Sequence, residues 1–405
     1  MPARYGAAVT ALLSVDEALS RILERARPLP SEQVEARLAV GRVLTEPASA
    51  RVDLPPFPSS AMDGFALRAA DAPGTLPVVA RIAAGRPADR RLEPGEAMAV
   101  ATGGVVPEGA DAVVPIELVV QHDDSVEISA DVAVGANVRP RGGDVRAGDV
   151  VLPAGAIIGA AQLGALAAAG INEVGCGRRP RVAVLTTGSE LRAVGEHLEP
   201  GQIYDSNGAM VEAALASVGA VVGQLRPVAD DETAHREALA RGLEADVLVT
   251  SGGVSVGEHD LVRRVERELG VEEVLWGVAV RPGKPFAFGV RGDTLVFGLP
   301  GNPVSALVGS LLFVRPALLA LQGAADPGPH FDAGVLGSAL SRRPARDDLV
   351  RAVRIARGDG VVLDPVEGQE SHMIVRAAAA DALVYVPRGE GELERGELVR
   401  YLRLV

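Results

Sequence analysis

Three glycine-containing loops carry the residues best suited to bind a phosphate-like anion. Each follows an apolar run, and their sequences are TTGSEL, SGGVSVGEHD and GLPGNPVSAL. Hydroxyl groups, backbone N–H groups at glycine and a helix start at Pro303 can all donate hydrogen bonds to an oxyanion. The candidate binding residues are Thr187, Gly188, Ser189, Ser251, Gly252, Gly253, Ser255, Pro300, Gly301, Asn302, Pro303 and Ser305. Taken singly, each loop is more typical of an ordinary strand-to-helix turn, and it is the three loops together at one sheet end that predict an anion site.

Two cations lie between the second and third loops, in the stretch RPGKPFAFG. Arg281 and Lys284 flank a Pro-Gly turn, which places both on a rigid corner. Arginine can bind an oxyanion through two parallel hydrogen bonds, and lysine acts as a compact point charge. The pair therefore predicts an oxyanion site, and the alternative is a solvated surface turn.

Carboxylates in the same part of the chain predict a bound Mg²⁺. Proteins hold Mg²⁺ through one or two carboxylates together with phosphate oxygens and water. The candidates are Glu190, Asp205, Asp230, Asp231 and Asp260. Asp205 and Asp260 could equally cap helices. The six histidines have no metal-binding spacing, and the sequence contains neither a Walker loop nor a nucleophile elbow.

A further candidate, Asp63, stands directly before Gly64 in the stretch LPPFPSSAMDGFAL. An Asp-Gly pair between two strand-like runs is typical of a hairpin corner. The stretch by itself therefore predicts a structural turn. The alternative is a carboxylate presented to a ligand.

Composition narrows the class of protein. A chain of 405 residues, 48% hydrophobic and 23% charged, is typical of a globular protein with several domains. The formal net charge of −13 argues against a nucleic-acid-binding surface, which needs clustered Lys and Arg. The single cysteine, Cys176, excludes an internal disulfide. Because neither a secretory signal nor a transmembrane run is found, we expect a cytoplasmic protein.

Local patterns predict the elements that position these residues. SVDEALSRILERA begins a helix with a capping box of Ser14 and Glu17, and SEQVEARLAVG predicts a second helix capped by Ser31. Short apolar runs between turn residues predict a β-rich segment over about 51–150. An Ala-rich helix then ends at Gly170.

From about residue 179 to 323, continuous apolar runs alternate with helical periods. This alternation predicts a parallel sheet covered on both faces, with the three loops at one sheet end. Short β-type runs return up to residue 405. The residues alone therefore predict a multidomain α/β plus β protein that binds a phosphorylated anion with Mg²⁺.

Seven motifs occur in the order and spacing of a known family: SSAMDGFAL, ATGGVVPEGADAVVPIE, RPRGGDV, TTGSEL, SGGVSVGEHD, RPGKPFAFG and GLPGNPVSA. Together they closely resemble the MoeA family of molybdopterin molybdenumtransferases, whose eukaryotic relatives include gephyrin. The resemblance spans about residues 14–405. It implies a Mg²⁺-dependent enzyme that inserts molybdate into adenylylated molybdopterin, releases AMP and forms molybdenum cofactor.

The resemblance also implies an elongated homodimer of four-domain subunits. An N-terminal helical domain comprises 1–51 and 146–178, and a β-rich insertion, 52–145, interrupts it. A central doubly wound α/β domain, 179–325, binds molybdopterin and nucleotide, and a C-terminal β-barrel-like domain covers 326–405. The active cleft is expected between the α/β domain of one subunit and the insertion of the other. The molybdopterin adenylyltransferase that makes the substrate is a candidate partner.

Matched motif by motif, the resemblance assigns roles to individual residues. The expected catalytic residues are Asp63, Thr102 and Asp144 from the insertion, and Glu190, Asp230 and Asp260 from the α/β domain. The last three are also the expected Mg²⁺ ligands. The resemblance adds Arg281, Lys284, Pro300 and Pro303 as substrate-binding residues. Arg346 or Arg351 is expected to face the molybdate.

Two positions depart from the family pattern. Gly277 follows Trp276 where a lysine is common, and Arg281 stands where lysine is usual, which keeps the charge and changes its reach. These departures leave open a degenerate paralogue with weaker oxyanion binding. The motifs are also compatible with a gephyrin-like scaffold and with a molybdopterin adenylyltransferase, which normally consists of the α/β domain alone.

Overall fold

The structure is a computed structural model that describes residues 12–228, 231–253, 261–358 and 360–404. Its described part contains three six-stranded sheets, which we call the insertion sheet (within 64–128), the central sheet (within 181–299) and the C-terminal sheet (within 332–403, plus one strand at 280–281). The shorter ladders pair Ser31–Glu35 with Glu173–Gly177, Ala48–Ser49 with Val150–Leu152, Ser59–Ser60 with Val138–Arg139, Leu191–Arg192 with Ile203–Tyr204, and Leu340–Ser341 with Glu392–Leu393.

The N-terminal helix forms as the sequence predicts, over Val15–Leu23. A capping box closes its first turn. The Ser14 hydroxyl accepts from the Glu17 N–H (3.2 Å), and the Glu17 carboxylate accepts from the Ser14 N–H (2.8 Å). The apolar face formed by Val15, Ala18 and Ile22 is buried in the same core as one face of the central sheet. The helix is therefore held by residues far away in sequence.

The helix predicted over 31–41 is wrong. Ser31–Glu35 is a strand that pairs antiparallel with Glu173–Gly177, and Ala36–Leu38 forms only a short 3-10 helix. Long-range ladder hydrogen bonds outweigh the weak helical preference of this segment. The Ala-rich helix is confirmed as Ala160–Ala168, and it gives way at Gly170, whose φ of +77° suits glycine.

The insertion sheet has the strand order Ala112–Pro115, Gly64–Leu67, Ala97–Val100, Gly74–Ile82, Ser125–Ile128 and Val120–Gln121, with 3-10 turns at Ala69–Asp71 and Ile116–Leu118. This confirms the predicted β-rich insertion but not the hairpin corner at Asp63–Gly64. Ser59–Ser60 and Gly64–Leu67 do not pair with each other and belong to different ladders. Gly64 is required by a close approach instead, because a β-carbon there would lie 2.1 Å from the Val114 carbonyl oxygen.

The central sheet has the order Val221–Val228, Arg181–Thr187, Val247–Ser251, Thr294–Leu299, Ala287–Arg291 and Glu272–Trp276. The first four strands are parallel, as predicted, and the last two run antiparallel to their neighbours. Val182 and Val184 enter one hydrophobic core while Ala183 and Leu185 enter another, so both faces are covered. The helices of this segment are Asn207–Ala216, Glu232–Gly242, Leu261–Glu268 and Pro303–Leu321.

One of these helices, Pro303–Leu321, is long and apolar enough to cross a membrane by length and composition alone. It contains a π-helical stretch at Ser310–Val314. Of the 18 residues that form its most apolar stretch, 78% are buried inside the protein. Leu312, Phe313 and Leu318 pack there in the core shared with the central sheet. A helix in the core of a globular domain can have the same length and apolar composition.

The C-terminal sheet confirms the predicted barrel-like domain. Its strands pair in the order Asp347–Arg357, Gly360–Pro365, Asp332–Leu336, Leu398–Arg403 and Ala382–Val386, and a short helix lies at Ile374–Ala377. The barrel closes because Ala382–Val386 also pairs with Asp347–Arg357. A further strand, Val280–Arg281, comes from the α/β segment. It pairs in parallel with the start of the strand Asp347–Arg357, at residues 347–348. It joins the barrel to the central sheet.

Gly277 lies where the chain leaves the central sheet towards this joining strand. Its φ is +83°, and a β-carbon at this position would lie 2.8 Å from Leu12 Cδ2. A side chain at this position would have to adopt the left-handed backbone conformation and displace the end of the Leu12 side chain, so the local structure favours glycine.

We predict that Gly277→Ala lowers the free energy of unfolding by about 1–2 kcal/mol, because alanine disfavours the left-handed conformation and its β-carbon would displace the Leu12 side chain. Denaturant unfolding measures this change. Gly292→Ala is the matched control, since Gly292 has φ of +59° but no atom near its absent β-carbon. A loss at Gly277 no larger than the loss at Gly292 would contradict the predicted clash with Leu12.

Candidate active site

The three predicted loops meet at the end of the central sheet where its parallel strands finish, which is the end at which open α/β sheets bind ligands. They line a cavity of about 840 Å³, which we call the large cavity. The loop residues that border it are Thr186, Thr187, Gly188, Glu190, Ser251, Gly252, Gly253, Pro300, Gly301, Asn302 and Pro303. Ser189 is not among the lining residues.

Two carboxylates border the large cavity, and each lies beside a glycine that leaves room for it. A β-carbon at Gly188 would lie 2.6 Å from Glu190 Oε2, and one at Gly208 would lie 2.8 Å from Asp205 Oδ2. Asp205 accepts hydrogen bonds from the Thr186 hydroxyl (2.6 Å) and the Gly208 N–H (3.0 Å). The Asp205 carboxylate therefore caps the following helix and also borders the cavity.

Asn207 also borders the large cavity, although the sequence patterns did not single it out. Its Nδ2 donates to Ser251 Oγ (2.9 Å) and to the Gly301 carbonyl (2.8 Å). One side chain thus ties a helix start to the second and third loops. Its Oδ1 is buried and has no hydrogen-bond partner among the described residues. The only sequence signal is an amide residue two positions after Asp205, at the start of a helical period.

A smaller cavity of about 420 Å³, the small cavity, shares four lining residues with the large one. It collects three cations, Arg281, Lys284 and Arg346, and one carboxylate, Glu370. The side chains of Lys284 and Arg346 form no hydrogen bond or ion pair with another described residue, whereas Arg281 Nη1 lies 3.5 Å from Asp348 Oδ2. The excess of positive charge suits a compact oxyanion.

Arg351 borders neither cavity, although the family resemblance offered it as an alternative to Arg346. It is 1% exposed, and its guanidinium donates to the backbone carbonyls of Gly368 (2.7 Å), Glu370 (3.3 Å) and Met373 (3.1 Å). Burial lowers the pKa of Arg351. Arg351 therefore fixes the loop 368–373, whose residues border the small cavity, and it does not present charge to a ligand.

The helix start at Pro303 offers an anion fewer donors than its sequence suggests. Pro303 has no N–H, and the Val304 N–H donates to the Ser371 carbonyl at 3.0 Å. A loop of the C-terminal barrel therefore occupies a position that the sequence pattern assigned to an anion. Ser305 is buried beside it and borders the small cavity.

Asp63, Thr102 and Asp144 border neither cavity of their own chain. The structure brings the first two together, because Asp63 Oδ1 accepts from the Thr102 N–H (2.6 Å) and hydroxyl (3.0 Å). These hydrogen bonds hold the pKa of Asp63 below its ordinary value, so the carboxylate stays ionised at neutral pH. Asp144 is exposed on another loop, where its N–H donates to the Leu54 carbonyl (2.9 Å).

Three predicted residues, Asp230, Ser255 and Asp260, lie outside the described residues. Within the described ranges, no group of three or more His, Cys, Asp or Glu side chains could hold a metal ion. Glu190 and Asp205 are the described carboxylates that border the large cavity.

We predict that Asn207→Ala lowers the free energy of unfolding by about 1–3 kcal/mol, because it removes two hydrogen bonds that tie the helix start to the second and third loops. Hydrogen exchange should show faster opening at 251–253 and 300–303. Asn172→Ala is the control, since the Asn172 hydrogen bond to Arg51 is exposed. Equal effects of the two variants would contradict a special role for Asn207.

Comparisons with known proteins cover most of the chain. Residues 13–170 match the MoeA N-terminal region (domains I and II), and residues 183–320 match a probable molybdopterin binding domain. Residues 333–404 match the MoeA C-terminal region (domain IV).

Individual relatives match over almost their full length. A molybdopterin molybdenumtransferase from Haemophilus influenzae is 36% identical over 396 residues, which cover 96% of this chain and 98% of that one. Molybdopterin molybdenumtransferase 2 of Mycobacterium tuberculosis is 37% identical over 399 residues, which cover 95% and 97%. A crystal structure of a molybdopterin biosynthesis MoeA protein from Pyrococcus horikoshii matches with a TM-score of 0.83 at 28% identity, covering 97% of this chain and all of that one (100%). The chain therefore belongs to the MoeA family.

Proposed function

We propose that this chain inserts molybdate into adenylylated molybdopterin, releases AMP and forms molybdenum cofactor. The observation that carries the proposal is the pair of adjoining cavities, one lined by the three glycine-containing loops and the other by three cations. The matches at both ends of the chain favour this function over that of a single-domain adenylyltransferase. We place the reaction in the cytoplasm, after an adenylyltransferase that supplies the substrate.

The small cavity suits molybdate, a tetrahedral dianion. Arg281, Lys284 and Arg346 surround it with positive charge, against the single carboxylate of Glu370. Lys284 and Arg346 have no described protein partner, so their donors remain available to a ligand. Arg281 retains the positive charge of the lysine that is usual in the family and can offer two parallel hydrogen bonds.

The large cavity suits the phosphates of adenylylated molybdopterin. Backbone N–H groups at glycines can approach a phosphate closely, and the second loop presents Gly252 and Gly253 side by side. Thr187 and Ser251 border the same space. The phosphates would therefore lie against the sheet end, and the pterin would extend towards the small cavity.

Mg²⁺ fits the carboxylates at this sheet end. Glu190 and Asp205 both border the large cavity, and Mg²⁺ needs only one or two carboxylates when phosphate oxygens and water complete its shell. We propose Glu190 as a ligand, with Asp230 and Asp260 carried over from the family motif. The ion, when bound, supplies Lewis-acid polarisation of the phosphoanhydride.

We also propose a homodimer in which Asp63, Thr102 and Asp144 enter the cleft of the other subunit. In support, the three residues are exposed and border neither cavity of their own chain. The helix Ala160–Ala168 carries no charged residue, and it forms part of an exposed face of small and apolar residues. That face consists of Val150, Ile157, Ala160, Ala161, Gly164, Ala167 and Ala168.

The function is tested by supplying the purified protein with adenylylated molybdopterin, Mg²⁺ and molybdate, and by measuring AMP release and cofactor formation.

We predict that Lys284→Gln raises the molybdate concentration needed for half-maximal rate by about tenfold, which is about 1.4 kcal/mol of binding. Because Lys284 is the only lysine of the chain, its acetylation should also be slower when molybdate is bound. Chelation of Mg²⁺ should stop AMP release.

Arg357→Gln is the control for Lys284→Gln, since Arg357 is exposed on the barrel and borders neither cavity. No turnover by the unaltered protein, despite tight binding of both substrates, would overturn the proposed enzyme. An unchanged molybdate requirement in Lys284→Gln would remove the small cavity as the molybdate site.

The dimer is tested by mixing subunits. We predict that Asp63→Asn and Lys284→Gln are each impaired alone, and that a one-to-one mixture recovers roughly one quarter of normal activity. The reason is that half of the dimers would be mixed, and each mixed dimer would contain one complete cleft. Activity that stays at the level of the single variants after confirmed subunit exchange would show that Asp63 does not act across the interface.

A further inference from the structure

The two cavities meet at four residues that line both of them: Pro285, Pro300, Asn302 and His372. A reaction that joins a ligand in the large cavity to an oxyanion in the small one must take place at this junction. His372 is the one residue of the four with an ionisable side chain. Among the side chains that proteins use, histidine is the one that ordinarily changes charge near neutral pH.

The backbone on both sides of His372 is fixed by different parts of the structure. The carbonyl of Ser371 accepts from the Val304 N–H of the central domain (3.0 Å). The carbonyl of Met373 accepts from Arg351 of the barrel (3.1 Å), and that guanidinium is buried. His372 itself is exposed to solvent in the cavities. The structure therefore holds a titratable side chain at the junction on an anchored loop.

We propose that His372 is a catalytic residue of the insertion step. It carries protons between the thiol groups of molybdopterin and the departing oxygen of molybdate. The proposal rests on the proposed function and adds a residue to it. Neither Arg351 nor Val304 borders either cavity, so they act as positioning residues.

The step balances without any oxidant or reductant. Two thiol groups of molybdopterin each lose a proton and each form a bond to molybdenum, while one molybdenum–oxygen bond breaks. The oxygen leaves with two protons as water, and molybdenum keeps its oxidation state. Protonated His372 gives one proton to the leaving oxygen and is reloaded by a thiol proton, so it ends as it began.

Charged and titratable groups from several elements line the two cavities that meet at this junction. Those of the large cavity are Glu190, Tyr204, Asp205 and His235, and those of the small cavity are Arg281, Lys284, Arg346 and Glu370. A proton donor must be protonated to act. The insertion rate of the unaltered protein should therefore fall as pH rises.

The test compares His372→Gln with the unaltered protein in molybdenum insertion. The expected result is a fall in kcat of about 10²-fold, with the molybdate requirement nearly unchanged, and loss of the alkaline fall in rate. Free imidazole should partly restore His372→Ala. His330→Gln is the control, since His330 is exposed and borders neither cavity. Thermal unfolding, together with His372→Asn as a second variant, shows whether the loop still folds.

A rate within twofold of normal, or an unchanged pH profile in a folded His372→Gln, would overturn the proposal. So would a change confined to the molybdate requirement, because that would make His372 a binding residue. Both outcomes presuppose that the unaltered protein turns over. An inactive unaltered protein would instead refute the proposed function, so the two failures are distinguishable.

Discussion

The parallel pairing of Val280–Arg281 with the start of the barrel strand, at residues 347–348, is the contact on which the site depends. It is reinforced by the hydrogen bond from the Asp347 N–H to the Ala279 carbonyl (2.9 Å). The pairing carries an α/β segment into the sheet of the barrel. Lys284 follows the strand Val280–Arg281, and Arg346 directly precedes the barrel strand. The pairing of these two strands therefore brings cations from two domains into the small cavity.

The pairing of these strands also buries two carboxylates, Asp347 and Asp348, which are 3% and 6% exposed. Burying a carboxylate is costly unless hydrogen bonds and opposite charges compensate it. Asp347 accepts from the Arg388 N–H (2.8 Å), and Asp348 accepts from Arg343 Nε (3.1 Å). Burial and the neighbouring Asp347 raise the pKa of Tyr385 to about 12. Part of the local positive charge is thus committed to the fold, and the charge of Lys284 and Arg346 is left for a ligand.

The sequence by itself determined those features that arise within one short segment. The capping box at Ser14, the helix that ends before Gly170 and the alternating strands and helices of the central domain are fixed by local hydrogen bonds and by the periodicity of burial. The glycine loops at one sheet end follow from the same alternation, because parallel strands finish on the same side. The ordered motifs then identified the family, but they gave no contact between residues.

The tertiary structure decided everything that depends on a partner distant in sequence. The segment Ser31–Glu35 became a strand because Glu173–Gly177 lies beside it, and Gly64 is needed because of the Val114 backbone. Arg351 points into the loop 368–373, and Asn207 ties loops that are 44 and 94 residues away. Side-chain direction and long-range pairing are set by the sum of many packing contacts, and a single chain segment does not contain that information.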